Sequence, residues 1–180
     1  MTEATIPSRS LRRAQALVAV QIALSVPLQW LFVRTLVARG AFALPQDNVG
    51  ERLRFLVRWE LVAGAVLLAM IGFIAGARPL WASTIGGSPT AEQLERHVRV
   101  QRNTVEQLLL LLVSHSALVL LLPREELALV PALVLLFALS RVVYWIGYAK
   151  DEMFRTLGFV ATFYPNIYGM GLALWLAFGR

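Results

Sequence analysis

The residues best suited to chemistry lie in one short run, where Glu95, Arg99, Asn103 and Glu106 recur at offsets of four, four and three. On a helix that spacing puts all four on one face, with Arg102 beside it. Five leucines follow Gln107. An ionisable group set against such a run faces a bundle interior or a wet cavity. A second run, LLFALSRVVYWIGY, repeats the pattern: Arg141, Tyr144 and Tyr148 lie at offsets of three and four. An arginine at that depth needs an anionic partner, either Glu106 or a ligand, because an unpaired charge in lipid is costly. The plainer alternatives are a helix that starts in water with intrahelical ion pairs, an interfacial belt of tyrosines, and a structural Glu106–Arg141 pair.

Other chemistries lack their residues. The chain has no cysteine, which excludes a thiolate nucleophile, a thiolate metal site and a disulfide. His97 falls on a different face and reads as solvated. His115, in Val-Ser-His-Ser, reads as packed or hydrogen-bonded to Ser114 or Ser116. Neither has a carboxylate or second histidine at ligand spacing, so no metal is expected. There is no Ser/His/Asp set, P-loop or dinucleotide fingerprint. Arginines are dispersed along membrane edges instead of gathered on one basic helix, so nucleic acid is not an expected partner.

The elements that must position these residues are set by composition. Of 180 residues, 58% are hydrophobic and 16% charged, with a net charge of +6 and a mean hydropathy of +0.64. Soluble domains are closer to half apolar and a quarter charged, so this is an integral membrane protein. Five apolar segments are legible: about 14–37, 55–77, 105–122, 127–148 and 154–178. Each is long enough to cross a bilayer core, and backbone in lipid must be helical. The link STIGGSPTAEQLERHVR starts as a Gly/Ser/Pro loop and reads as charged and helical after Pro89, ahead of the third segment. Short links, PREE and KDEMFR, make segments two to five an antiparallel bundle. Segment one is an added helix, separated by ARGAFALPQDNVGERLR. We divide the chain into an N-terminal extension, 1–50, and a four-helix core, 51–180. Within segment two, Gly72-Phe-Ile-Ala-Gly76 is a small-xxx-small pattern that would admit a neighbouring helix.

Basic residues orient the bundle. With the N-terminus inside, Arg9, Arg12, Arg13, Arg78, Arg96, Arg99, Arg102, Lys150 and Arg155 lie inside, and Arg39, Arg52, Arg54, Arg124 and Arg180 outside, nine against five. This excess places the N-terminus in the cytoplasm, and we expect a multi-pass protein of a bacterial inner membrane. The first segment could be a signal peptide cleaved after Ala41-Phe42-Ala43. It is longer than a usual signal core and carries Arg34 and Arg39, so we read it as retained. Arg78, Arg99 and Arg155 then share one membrane side, with Arg141 and the tyrosines within two turns of it. Together they form a basic, tyrosine-lined pocket with Glu106 as its buried acid.

Two blocks resemble a known family. Glu95-Arg96-x-x-Arg99-x-Gln101-x-Asn103-x-x-Glu106 is similar to the signature of the MAPEG family, membrane-associated proteins in eicosanoid and glutathione metabolism, where it begins the second helix of a four-helix core. Arg141-x-x-Tyr144-x-x-Gly147-Tyr148, followed by Arg155, is similar to that family's third helix and the start of its fourth. The spacing is nearest to the leukotriene C4 synthase and microsomal glutathione transferase branches. The resemblance runs from about Arg54 to the C-terminus. It departs at Val100, usually alanine, and at Gln107, usually tyrosine or asparagine; segment one has no counterpart.

What the resemblance implies is a homotrimer that binds glutathione, or a related thiol, between neighbouring subunits. It implies Arg78, Arg99, Gln101, Asn103, Arg141, Tyr144 and Tyr148 as binding residues, with Glu106 meeting the ligand's ammonium. It implies Arg155 as the catalytic residue, its guanidinium favouring the thiolate for attack on a lipophilic substrate from the bilayer. The expected activity is glutathione transfer or peroxidase chemistry. The alternatives are a non-catalytic lipid-binding or scaffold protein of the same fold, and a small anion transporter. Paired broken helices are missing for the last.

Overall fold

The computed structural model describes residues 8–80, 92–150 and 155–179, except for the side chains of 8–11, 14, 80, 92, 93, 149, 150 and 155. The Gly/Ser/Pro loop and most of the KDEMFR turn thus lie outside the described residues. All regular structure within them is helical: α1 (Ser8–Ala38), α2 (Val49–Ala77), α3 (Glu92–Leu121), α4 (Leu129–Lys150) and α5 (Arg155–Phe178). All five are long and apolar enough to cross a membrane. The polar run is continuous with the leucine run, so the charged lead-in and the third apolar segment form one helix, α3.

Sequence chemistry sets the helix ends. α1 stops where Gly40 adopts φ +59°. The amide of Gly40 donates to Val37 O at 3.1 Å and that of Ala41 to Leu36 O at 3.3 Å, satisfying carbonyls that the last turn leaves open. α2 begins at Asn48, whose side chain accepts from the Glu51 amide at 2.9 Å. The buried Arg52 then clamps the far end of α3. Its Nη1 donates to Val119 O at 2.7 Å and Leu122 O at 2.9 Å, while Nε and Nη2 donate to Asp47 at 3.0 and 2.6 Å. Arg52 thus satisfies C-terminal carbonyls and places positive charge at the negative end of a helix dipole.

The bundle is built around α4, which packs against each of the other four helices. Within the chain, 67% of its membrane stretch is buried, against 11% for α1. α1 rests on α4 and α5. Apolar clusters join the layers: Phe55, Leu118, Leu122 and Val130 at one end, and Met70, Val100, Tyr144 and Tyr148 at the other. Pro165, inside α5, has no amide for the carbonyl four residues back. Ser140 of α4 donates to that carbonyl, Ala161 O, at 3.3 Å, so a kink-prone residue becomes a link between helices.

Three expectations are corrected here. His97 is not solvated: it is half-buried, accepts from Trp145 Nε1 at 2.8 Å and packs edge-on against Phe73. His115 is packed in the interior, one of the two alternatives expected, but it bonds to neither serine. Its Nδ1 lies 2.8 Å from Glu60 Oε1, while Ser114 and Ser116 donate to Leu111 O and Leu112 O. Gly72 and Gly76 admit no helix of this chain, because a methyl group at either would meet nothing within 4 Å.

Candidate functional site

Arg141 is fully buried, with no exposed surface, at the centre of α4. Its Nη1 donates to Asn103 Oδ1 of α3 at 2.9 Å, and its Nη2 to Gly158 O of α5 at 3.1 Å and to Thr162 Oγ1. One guanidinium therefore ties three helices, a use that suits its planar fork of donors. Its carbon stands 4.5 Å from the Tyr144 ring centre, over the ring. Its Nε is buried with no hydrogen-bond partner among the described residues.

The arrangement depends on Gly158. A methyl group there would sit 2.4 Å from Tyr144 N and 2.6 Å from its Cα, so α5 touches the backbone of α4 at this point. Close approach brings Gly158 O within reach of Arg141. It also leaves Tyr144 nearly buried, edge-on to Tyr148 with ring centres 5.8 Å apart. Beside this tie lies a cavity of about 380 Å³ lined by Asn103, Tyr144, Thr156 and Phe159. It lies where α5 begins, and the first residue of that helix is Arg155.

The structure brings Asn103, Arg141, Tyr144 and Tyr148 together. Asn103 also donates to Glu106 Oε2 at 3.4 Å, so it stands between the acid and Arg141, in place of the direct pair that was one of the alternatives. Glu106 is not buried within the chain. Its side chain is 58% exposed and pairs with Arg102 at 3.8 Å. Arg99 is likewise exposed and pairs with Glu95 at 3.5 Å. Gln101 is half-buried on the same helix. Arg78 lies at the exposed end of α2, where its amide caps Ile74 O. The side chain of Arg155 lies outside the described residues.

Other residues escaped sequence reasoning. Thr162 and Gly158 complete the Arg141 tie. Buried Asn166 donates from Nδ2 to both Gln107 O and Gln107 Oε1 at 2.9 Å, joining α5 to α3. The departure at Gln107 thus has a packing role. Glu60, beside Trp59 in an apolar helix, was the one visible signal for the His115 pair.

Comparison with known proteins decides the lineage. The model of the MAPEG family matches residues 56–175, two-thirds of the chain, a range within which the candidate site residues fall. The chain belongs to the MAPEG family. Its α1 lies outside the matched region. Two relatives are each called Transmembrane protein 79. The protein from Bos taurus is 34% identical over 150 residues, covering 76% of this chain and 35% of the relative. That from Mus musculus is 35% identical over 140 residues, covering 70% and 34%. This MAPEG chain therefore spans about a third of the length of the relatives it matches. Both relatives are mammalian, and their shared name states a membrane location and no activity.

Proposed function

We propose that this MAPEG protein binds glutathione, or a related low-molecular-weight thiol, and activates it against a lipophilic electrophile, as in the leukotriene C4 synthase and microsomal glutathione transferase branches. The observation that carries the reading is the cavity walled by Asn103 and Tyr144, at the α5 start that Arg155 opens. Glutathione has two carboxylates and an ammonium. Arg78, Arg99 and Arg141, with Asn103, Gln101 and the two tyrosines, supply donors for the first, and Glu106 an acceptor for the second. The exposed face of α3 and the cavity of a neighbouring copy would form the cleft of a homotrimer. The core of this assembly is 51–180, with 1–50 an extension. The sequence orients it with the N-terminus cytoplasmic, as in a bacterial inner membrane.

Arg155 carries the chemistry in this proposal. A free thiol has a pKa of about 8.5, so little thiolate exists at neutral pH. Lowering that value by two units takes about 2.7 kcal/mol of preference for the anion, within reach of one partly desolvated guanidinium. The thiol proton passes to solvent. The thiolate then forms a carbon–sulfur bond as the leaving group departs with its electron pair. A hydroperoxide would instead be cleaved at its O–O bond, with a second thiol closing the disulfide.

The test is glutathione titration of purified protein, read by ultraviolet thiolate absorbance. We expect a saturable signal, lost in Arg155→Ala with binding retained, and shifted to higher glutathione in Glu106→Ala. No signal at saturating glutathione overturns the enzyme reading. One observation favours a non-catalytic lipid-binding or scaffold role: Arg141 is already held by three partners within its own chain. That reading predicts no thiolate in wild type.

A further inference from the structure

α1 reaches the start of α5 through one side chain. A helix leaves the amides of its first turn without partners of its own, and in a membrane each one left open is costly. Leu157 is the third residue of α5, so its amide is one of these. It donates to Gln21 Oε1 of α1 at 3.1 Å. The next residue, Gly158, touches the backbone of α4 and lends its carbonyl to Arg141. Two consecutive residues of α5 are thus fixed by two different helices. The residue before them, Thr156, lines the candidate cavity, and Arg155 opens the same turn.

The sequence of α1 keeps Gln21 in place. Gln21, Ser25 and Gln29 recur every four residues and so share one face. Ser25 and Gln29 are buried, and Gln29 Nε2 donates to Ser25 Oγ. Both line a cavity of about 310 Å³ whose other walls include Ser140, Leu157 and Gly158. This polar stripe therefore faces α4 and α5, while Val20, Leu24 and Leu31 stay exposed on the outer side. We propose that Gln21 is a positioning residue: it caps α5 from α1, a helix outside the family match, and holds the turn that carries Thr156 and Arg155 against the cavity. What that turn does chemically rests on the thiol reading above; the cap itself rests on the geometry alone.

Hydrogen exchange of the full chain in detergent, followed by mass spectrometry, reads the first turn of α5. Gln21→Met keeps the length of the side chain and removes its carbonyl. Exchange in that turn should then be about fivefold faster than in wild type, which corresponds to about 1 kcal/mol, the ordinary worth of a helix cap. Gln21→Glu keeps a carbonyl oxygen, charged or neutral, and should restore the wild-type rate. Gln21→Asn, one carbon short, should behave as Gln21→Met does and serves if that variant folds poorly. Gln29→Met breaks the bond inside α1 and should change nothing at α5. In the glutathione titration repeated across pH, Gln21→Met should raise the midpoint of thiolate formation by up to about 0.7 unit, the same free energy read as a thiol pKa. Gln29→Met should leave that midpoint where it is. Unchanged exchange in Gln21→Met, or equal acceleration in Gln29→Met, would overturn the cap. Faster exchange with an unmoved midpoint would overturn the positioning role. A wild type that forms no thiolate overturns the thiol reading and that role with it, whereas the exchange comparison still decides the cap, so the two failures stay distinct.

Discussion

Replacing Gly158 with alanine should be far more damaging than one added methyl group suggests. The new Cβ would stand 2.4, 2.6 and 2.7 Å from Tyr144 N, Cα and Cβ. Carbon contacts are comfortable at about 3.5–4.0 Å, so α5 must retreat from α4 by about 1 Å. Because the obstacle is largely backbone, no side-chain rotation relieves it. Overpacking of this kind costs about 1–3 kcal/mol. The retreat also stretches the 3.1 Å bond from Arg141 Nη2 to Gly158 O beyond useful range. A lost interhelical bond in a membrane protein adds about 0.6–1.7 kcal/mol. The control is Gly72→Ala, where the added methyl meets nothing. Both variants share the gain of about 1 kcal/mol from replacing a helical glycine with alanine, so it cancels between them. The two should differ by about 2–5 kcal/mol, Gly158→Ala being the weaker. Helical circular dichroism during denaturant titration in detergent measures this. Equal stabilities for the two variants would refute the close approach.

Two other changes probe ties remote from the cavity. Arg52→Met keeps much of the side-chain volume and removes the donors to Val119 O, Leu122 O and Asp47; it should cost about 2–4 kcal/mol in the same titration. Thiol binding per folded molecule, measured by calorimetry, should be unchanged by it, since Arg52 lies at the opposite end of α2 from Arg78. Asn166→Leu strips Gln107 of its buried donor and should destabilise by about 1–3 kcal/mol. Pairing it with Gln107→Leu should recover part of that loss, because two apolar side chains leave no unsatisfied amide; a double variant as weak as the sum of both singles contradicts the tie.

The five spans were legible because a bilayer demands long uninterrupted apolar runs. Their arrangement was not, and α4 shows why. Its mean hydropathy is 2.2 against 2.1 for α2, yet 67% of its membrane stretch is buried against 22%. Lipid and protein interior both select apolar residues, so hydropathy cannot tell a central helix from an outer one. That Arg141 needs a partner was legible from the cost of an unpaired arginine, which pointed to Glu106 or a ligand, whereas the structure gives Asn103. The partner was harder, since Asn103, Gly158 and Thr162 come from two other helices and only Asn103 belongs to a recognisable motif. Glu60 with His115, and Asn166 with Gln107, are pairings separated by 55 and 59 residues; no local period encodes them. Gly158 looks in sequence like any membrane-helix glycine, whereas its role comes from what lies across the interface.

Once these ties are assigned, the polar residues of α3 divide into two kinds. Thr104, Gln107 and His115 are buried and bonded within the chain. Glu95, Arg99, Arg102 and Glu106 lie inside a candidate span; Glu95 pairs with Arg99, and Arg102 with Glu106, at i,i+4 spacing, 3.5 and 3.8 Å apart. Such pairs contribute only about 0.3–0.5 kcal/mol on a helix surface, far less than the cost of facing charges toward lipid. A charged face at that depth needs a wet cleft or another polar surface against it, which is the physical support for the proposed trimer. Mass measurement of the detergent-solubilised particle should give three copies, and the double variant Arg99→Glu, Arg102→Glu should shift it toward single chains. A wild-type particle that is a single chain across all detergent concentrations would leave those four charges to the interfacial water and remove the basis for a shared cleft.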